Sequence, residues 1–191
     1  MRLITLTLAS TAAIALAGCG PKSQTTNSTD TAMTTAPMND TAMAPAPTAA
    51  ATGAQGFANA AAASDAFEIE SSKLAAAQAS SPAVKSYATQ MIAAHEKSTA
   101  KLKTVAATLS PPVTPDPTLA PDQQAMLDSL KAVEGTAFDT TYATNQAAAH
   151  QATLDKLKAY AANGEEPKFK EIATGLIPTV TAHLNMAKGL K

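Results

Sequence analysis

The stretch "SPAVKSYATQMIAAHEKSTAKLKTVAATL", Ser81 to Leu109, decides the fold. Ser81 is a helix N-cap residue and Pro82 sits where a first helical residue tolerates proline. From there Val84, Ala88, Met91, His95, Ser98, Leu102, Val105 and Leu109 recur at alternating steps of four and three. That spacing is one continuous helical seam, and a strand period of two is nowhere in it. Pro111, Pro112, Pro115, Pro117 and Pro121 follow, so "SPPVTPDPTLAP" (Ser110 to Pro121) is a connection and not a helix.

Working outward, the same punctuation divides the rest. An alanine-rich helix runs from about Phe57 to Ala79. A third helix spans Asp122 to Ala162, with a bend near Gly135. "NGEEP" (Asn163 to Pro167) stops it and opens a fourth, with Glu165 and Glu166 at the positive helix end. The fourth helix carries Phe169, Ile172, Leu176, Val180, His183, Ala187 and Leu190 on one face, and Pro178 is expected to kink it. Two tight turns and one long connection predict an all-α, up-and-down four-helix bundle over residues 56–191.

The composition excludes several functions. The chain has 191 residues, with 14 basic and 15 acidic side chains, so it has no basic face for nucleic acid. Aromatics make up 4% and tryptophan is absent, which leaves few platforms for stacking bases or sugars. A single cysteine rules out an internal disulfide.

That cysteine lies in the opening segment, "MRLITLTLASTAAIALAGC". Arg2, an apolar run and small residues at its end have the build of a secretory signal over residues 1–18. Leu16, Ala17, Gly18 and Cys19 resemble the bacterial lipobox, which implies cleavage before Cys19 and lipidation of its thiol. Several acyl chains hold a protein stably on a membrane where one is marginal. Gly20, in place of Asp, favours the outer membrane, facing the periplasm, by resemblance to the sorting of such lipoproteins. The expected membrane partner is therefore bound through the N-terminal lipid, and no protein partner is indicated. Residues 19–55 are rich in Ser, Thr, Ala and Pro and read as a disordered tether. Met33, Met38 and Met43 recur there at five-residue steps; thioethers suit soft Cu(I), but a tail with incidental methionines accounts for them as well.

The polar residues inside the bundle are the candidate site. There are three histidines, His95, His150 and His183, all on inward faces. If the turns near Ser81 and Gly164 share one end, Glu68, His95 and His150 lie roughly 20 Å from it, and His183 one to two turns further. A carboxylate and imidazoles at one level of a bundle can hold a divalent metal or another small ligand. The Glu-x-x-His pattern of di-metal bundles is missing, since Ile92, Ala147 and Val180 precede the three histidines by three residues. The other reading is a buried polar network, in which Glu68, Asp139 and Tyr142 bond to the histidines and orient them. No catalytic residue stands out: no serine lies in a glycine-flanked elbow, and Cys19 is committed to lipid.

Four segments carry a resemblance: "EIESSKLA" (Glu68 to Ala75), "SPAVKSYATQMIAAH" (Ser81 to His95), "LKAVEGTAFDTTYATNQAAAHQATL" (Leu130 to Leu154) and "FKEIATGLIPTVTAHLNMA" (Phe169 to Ala187). They resemble the bacterial family known as domain of unknown function 4142. The resemblance implies a ferritin-like bundle in an exported or outer-membrane protein. It also implies recurrent polar positions at Glu68, His95, Asp139, Tyr142, His150 and His183. Family members often carry an acidic residue before the helix 2 histidine, where this chain has Ala94. The family has no settled activity, so the resemblance speaks to the fold.

Overall fold

The computed structural model describes residues 52–190. The signal segment, the lipobox with Cys19 and most of the expected tether lie outside the described residues.

Among the described residues there are five helices and no strand: α1 Ala54–Gln78, α2 Pro82–Ala107, α3 Pro121–Lys131, α4 Gly135–Asn163 and α5 Pro167–Gly189. The expected long third helix is two. Glu134 is extended (φ −136°, ψ 168°) and Gly135 takes φ +60°, which side chains rarely adopt. A glycine in that conformation ends one helix axis and starts another, which is why the expected bend is a break. Pro121 and Pro167 occupy first-turn positions, as Pro82 does. Glu166 caps α5 by accepting the Lys168 N–H at 3.1 Å. Gly164 makes the preceding turn possible, because a Cβ there would run into the Tyr160 ring.

The chain directions correct the up-and-down topology. Glu165 N–H donates to Thr52 O at 3.1 Å, and Phe57 stacks on Tyr160 at 4.1 Å, so the start of α1 meets the end of α4. Ser80 and Ser81 N–H groups reach the Asp139 carboxylate, so the end of α1 meets the start of α4. Likewise Lys168 Nζ donates to Thr108 O, and Tyr87 Oη to His183 O, which sets α2 antiparallel to α5. Hence α1 and α5 run one way, α2 and α4 the other. The α1–α2 and α4–α5 turns stand at opposite ends, and the connection containing α3 crosses the length of the helices. Its proline-rich first half makes that long route affordable without a further helix alongside α2.

Apolar side chains gather toward the two ends. Phe57, Leu102, Leu109, Leu157, Tyr160, Phe169 and Ile172 form one cluster; Val84, Tyr87, Met91, Leu130, Phe138 and Tyr142 form another. Apart from Asp139 at the α1–α2 turn, the buried polar residues of the long helices fall between the two: Asp65, Glu68, Ser71 and Ser72 on α1, His95 on α2, Gln146 and His150 on α4, His183 on α5. The helical bundle is thus greasy at its ends and polar at its middle. Burying such groups is unfavourable unless each finds a partner.

Candidate metal centre

Three imidazoles meet in this middle layer. The ring centroids of His95, His150 and His183 are 5.4–5.8 Å apart, and one ligand atom from each lies within 4.8 Å of the others. His183 is therefore level with its partners and not one to two turns away. Counted from the helix ends and not from the turn between them, His150 lies 13 residues before Asn163 and His183 16 residues after Pro167, a difference of less than one helical turn that the imidazole side chains span.

Each ring is positioned differently. His95 Nδ1 is 2.8 Å from Asp65 Oδ1, and Thr99 Oγ1 donates to Asp65 Oδ2 at 3.1 Å. His150 Nδ1 donates to the Gln146 carbonyl, one turn earlier on α4, at 2.9 Å. These two bonds use Nδ1 of His95 and of His150 and leave Nε2 of each ring over. His95 Nε2, His150 Nε2 and His183 Nδ1 are buried without a hydrogen-bond partner. A carboxylate or carbonyl behind a histidine is the arrangement that orients a metal ligand and raises its basicity.

Glu68 sits behind this set and not within it. Its Oε1 is 3.4 Å from His150 Nδ1, a long approach to a nitrogen already bonded to Gln146, and its Oε2 has no partner. Burial pushes its carboxyl up to about 7, against the opposing pull of His95. Burial pushes His150 down to about 3 and His183 to about 4, with repulsion from His95 adding to both. Burial also works against a proton on His95, but the Asp65 hydrogen bond and the charges of Glu68 and Asp65 outweigh it, and its pKa rises. Two rings are thus kept neutral, with lone pairs available to a cation, and carboxylates stand close behind.

Two expected partners of the histidines are elsewhere. Asp139 accepts from Ser80 N–H at 3.0 Å and Ser81 N–H at 2.8 Å, and so ties down the α1–α2 turn. Ser81 occupies the N-cap position, yet its hydroxyl makes no capping bond. Tyr142 Oη pairs with Ser72 Oγ at 2.8 Å. Sequence reasoning also missed Asp65. The available signal was its position three residues before Glu68, one turn along the same face of α1.

The chain belongs to the DUF4142 family, described as a domain of unknown function, whose model matches residues 39–190. No curated protein matches the sequence. A solved structure, "CopM in the Cu(II)-bound form", is similar with a TM-score of 0.59 and 20% identity, over 72% of this chain and 94% of that one. At that identity the likeness is one of helical fold. No described helix is long and apolar enough to cross a membrane.

Proposed function

We propose that this chain is a lipid-anchored protein of the bacterial envelope that binds one transition-metal ion through His95, His150 and His183, with Cu(II) the favoured ion. The observation that carries the reading is the convergence of three buried imidazoles, each with an unpartnered nitrogen. A polar network serving only to specify the fold would use those nitrogens, because each unmet buried group costs about 1–3 kcal/mol. An ion meets all three at once. At metal–nitrogen distances of about 2.0–2.1 Å and tetrahedral angles the nitrogens would stand roughly 3.3 Å apart, so atoms now within 4.8 Å of one another would draw in by up to about 1.5 Å.

Imidazole suits copper, zinc, nickel and iron, and among divalent ions Cu(II) binds such sites most strongly. The similar fold that holds Cu(II) in CopM adds to that preference. The ion would supply positive charge in the middle of the bundle. Asp65 would hold His95 in register, and Glu68 would offset the charge from behind His150. The four long helices then act as a ferritin-like four-helix scaffold, with one crossing connection, whose middle layer is reserved for the ion. Anchoring follows from Cys19 behind Leu16, Ala17 and Gly18. Nothing in the bundle recommends an enzymatic nucleophile.

The test is metal analysis of the purified chain after incubation with Cu(II), Zn(II) and Ni(II) followed by desalting. One equivalent of copper, with a raised melting temperature, is expected. No retained metal and an unchanged melting temperature would leave the polar network as the function of these residues. For the anchor, Cys19→Ser is expected to abolish incorporation of labelled palmitate and release the protein from membranes; unchanged labelling would disprove lipidation at Cys19.

A further inference from the structure

A cavity of about 70 Å³ adjoins the histidine cluster. All four long helices contribute to its wall, among them Ala61 from α1, Ala94 and Ser98 from α2, Thr153 from α4 and Leu176 from α5. These residues are partly exposed, so the cavity communicates with solvent. His95 and His183 form part of its lining, whereas His150 and Glu68 do not. Exposure agrees: His95 and His183 are 6% and 8% exposed, His150 and Glu68 1% each. The cluster thus has a protein side, behind His150, and an open side, in front of His95 and His183.

Three imidazoles leave a four-coordinate ion one position short. Glu68 is on the protein side and is not among the groups that converge. We infer, on the basis of the metal-binding reading above, that the remaining coordination position faces this cavity and takes a small exogenous ligand: water, or a neutral or singly charged molecule of a few heavy atoms. The size limit follows from the volume, since one water needs roughly 10–15 Å³ of such space and a larger organic ligand many times that. The small side chains at 61, 94 and 98 keep the space open. Charge selects weakly here. Asp65 and Lys156 are the charged residues on the wall other than the histidines, and Asp65 is committed to His95 and Thr99. An ion in this setting is held as in open metal sites, with three protein ligands and one exchangeable position, and not as in closed structural ones.

The probe is azide added to the Cu(II)-loaded chain, followed by visible absorption and electron paramagnetic resonance. A new azide-to-copper charge-transfer band and altered copper hyperfine splitting are expected. Ala61→Leu and Ser98→Leu, made separately, are expected to weaken azide binding at least tenfold while copper affinity stays within about threefold. In the unsubstituted chain, pulsed resonance in D₂O is expected to show an exchangeable water on copper that azide displaces, a readout that needs no variant to fold. Copper bound tightly with no response to azide and no exchangeable water would overturn the open position and leave the metal site standing. Azide binding equally well in both leucine variants would overturn the cavity as its place. Failure to retain any metal would overturn both readings.

Discussion

Two buried carboxylate regions of this molecule behave in opposite ways. At the α1–α2 turn, each oxygen of Asp139 accepts a backbone N–H, and nearby Tyr142 and Ser72 satisfy one another. In the middle layer Glu68 Oε2, Gln146 Oε1 and one nitrogen of each histidine have no partner. The first region is finished by folding. The second is left incomplete on the protein's own terms, and its three converging imidazoles could hold a metal ion. Both regions are polar and buried, so polarity and burial alone do not separate structure from function; the count of unmet groups does.

That contrast can be broken in order of size. His150→Ala is expected to weaken copper binding at least a hundredfold, about 2.7 kcal/mol, read by competitive titration against a chelator of known affinity. A loss of less than tenfold would remove His150 from the ligand set. Asp139→Ala is expected to lower unfolding free energy by about 2–3 kcal/mol, because two N–H groups lose a charged acceptor. Its copper affinity should be unchanged, and a variant that lost copper while keeping its stability would reverse the assignment of the two regions. Asp65→Asn keeps the shape but weakens the hold on His95, and a ten- to hundredfold loss of copper affinity is expected with little change in apo stability.

The smallest effect is on pH dependence in the metal-free protein. His150 and His183 are held at about 3 and about 4, below the ordinary 6.5, so between pH 6.5 and those values protons bind the unfolded chain and stability falls as pH falls. Glu68, raised from 4.5 to about 7, works the other way: its proton favours the folded state as pH falls through that window. His95 is raised, and its contribution is already complete below pH 6.5. Two histidines against one carboxyl leave a net of about one proton between pH 6.5 and 4.5, so stability falls as pH falls, on the order of 1 kcal/mol per pH unit, and less to the extent that water reaches His183 through the cavity. Urea titrations at pH 6.5 and 5.0 read it. Glu68→Gln should steepen the slope toward two protons, and a slope unchanged by that substitution would mean that Glu68 is not held protonated.

Much of this was legible from the chain. Helix identity followed from the seam in α2 and the face of α5, because an apolar period of 3.6 can be buried only as a helix. The stops at Ser81, Pro121 and Gly164 were visible as well, since they act through the local backbone. The split at Gly135 was only half legible: a glycine announces freedom, but its φ is chosen by what packs around it. The three histidines were visible as inward-facing residues. His95 and His150 were also expected at one level, but that His183 joins them was not.

Sequence by itself determined which residues are helical, which faces turn inward and which side chains bring imidazole to the interior. Those are properties of spacing along one chain segment, and they need no partner. Only the tertiary structure decided that the two tight turns lie at opposite ends, that Asp65 and not Asp139 or Tyr142 supports His95, and that His183 joins the cluster. Helix direction depends on where a connection travels in space, and moving a turn from one end to the other shifts the level of every residue beyond it. A metal site depends on distances of a few ångströms between helices, and that information exists only once the helices are packed.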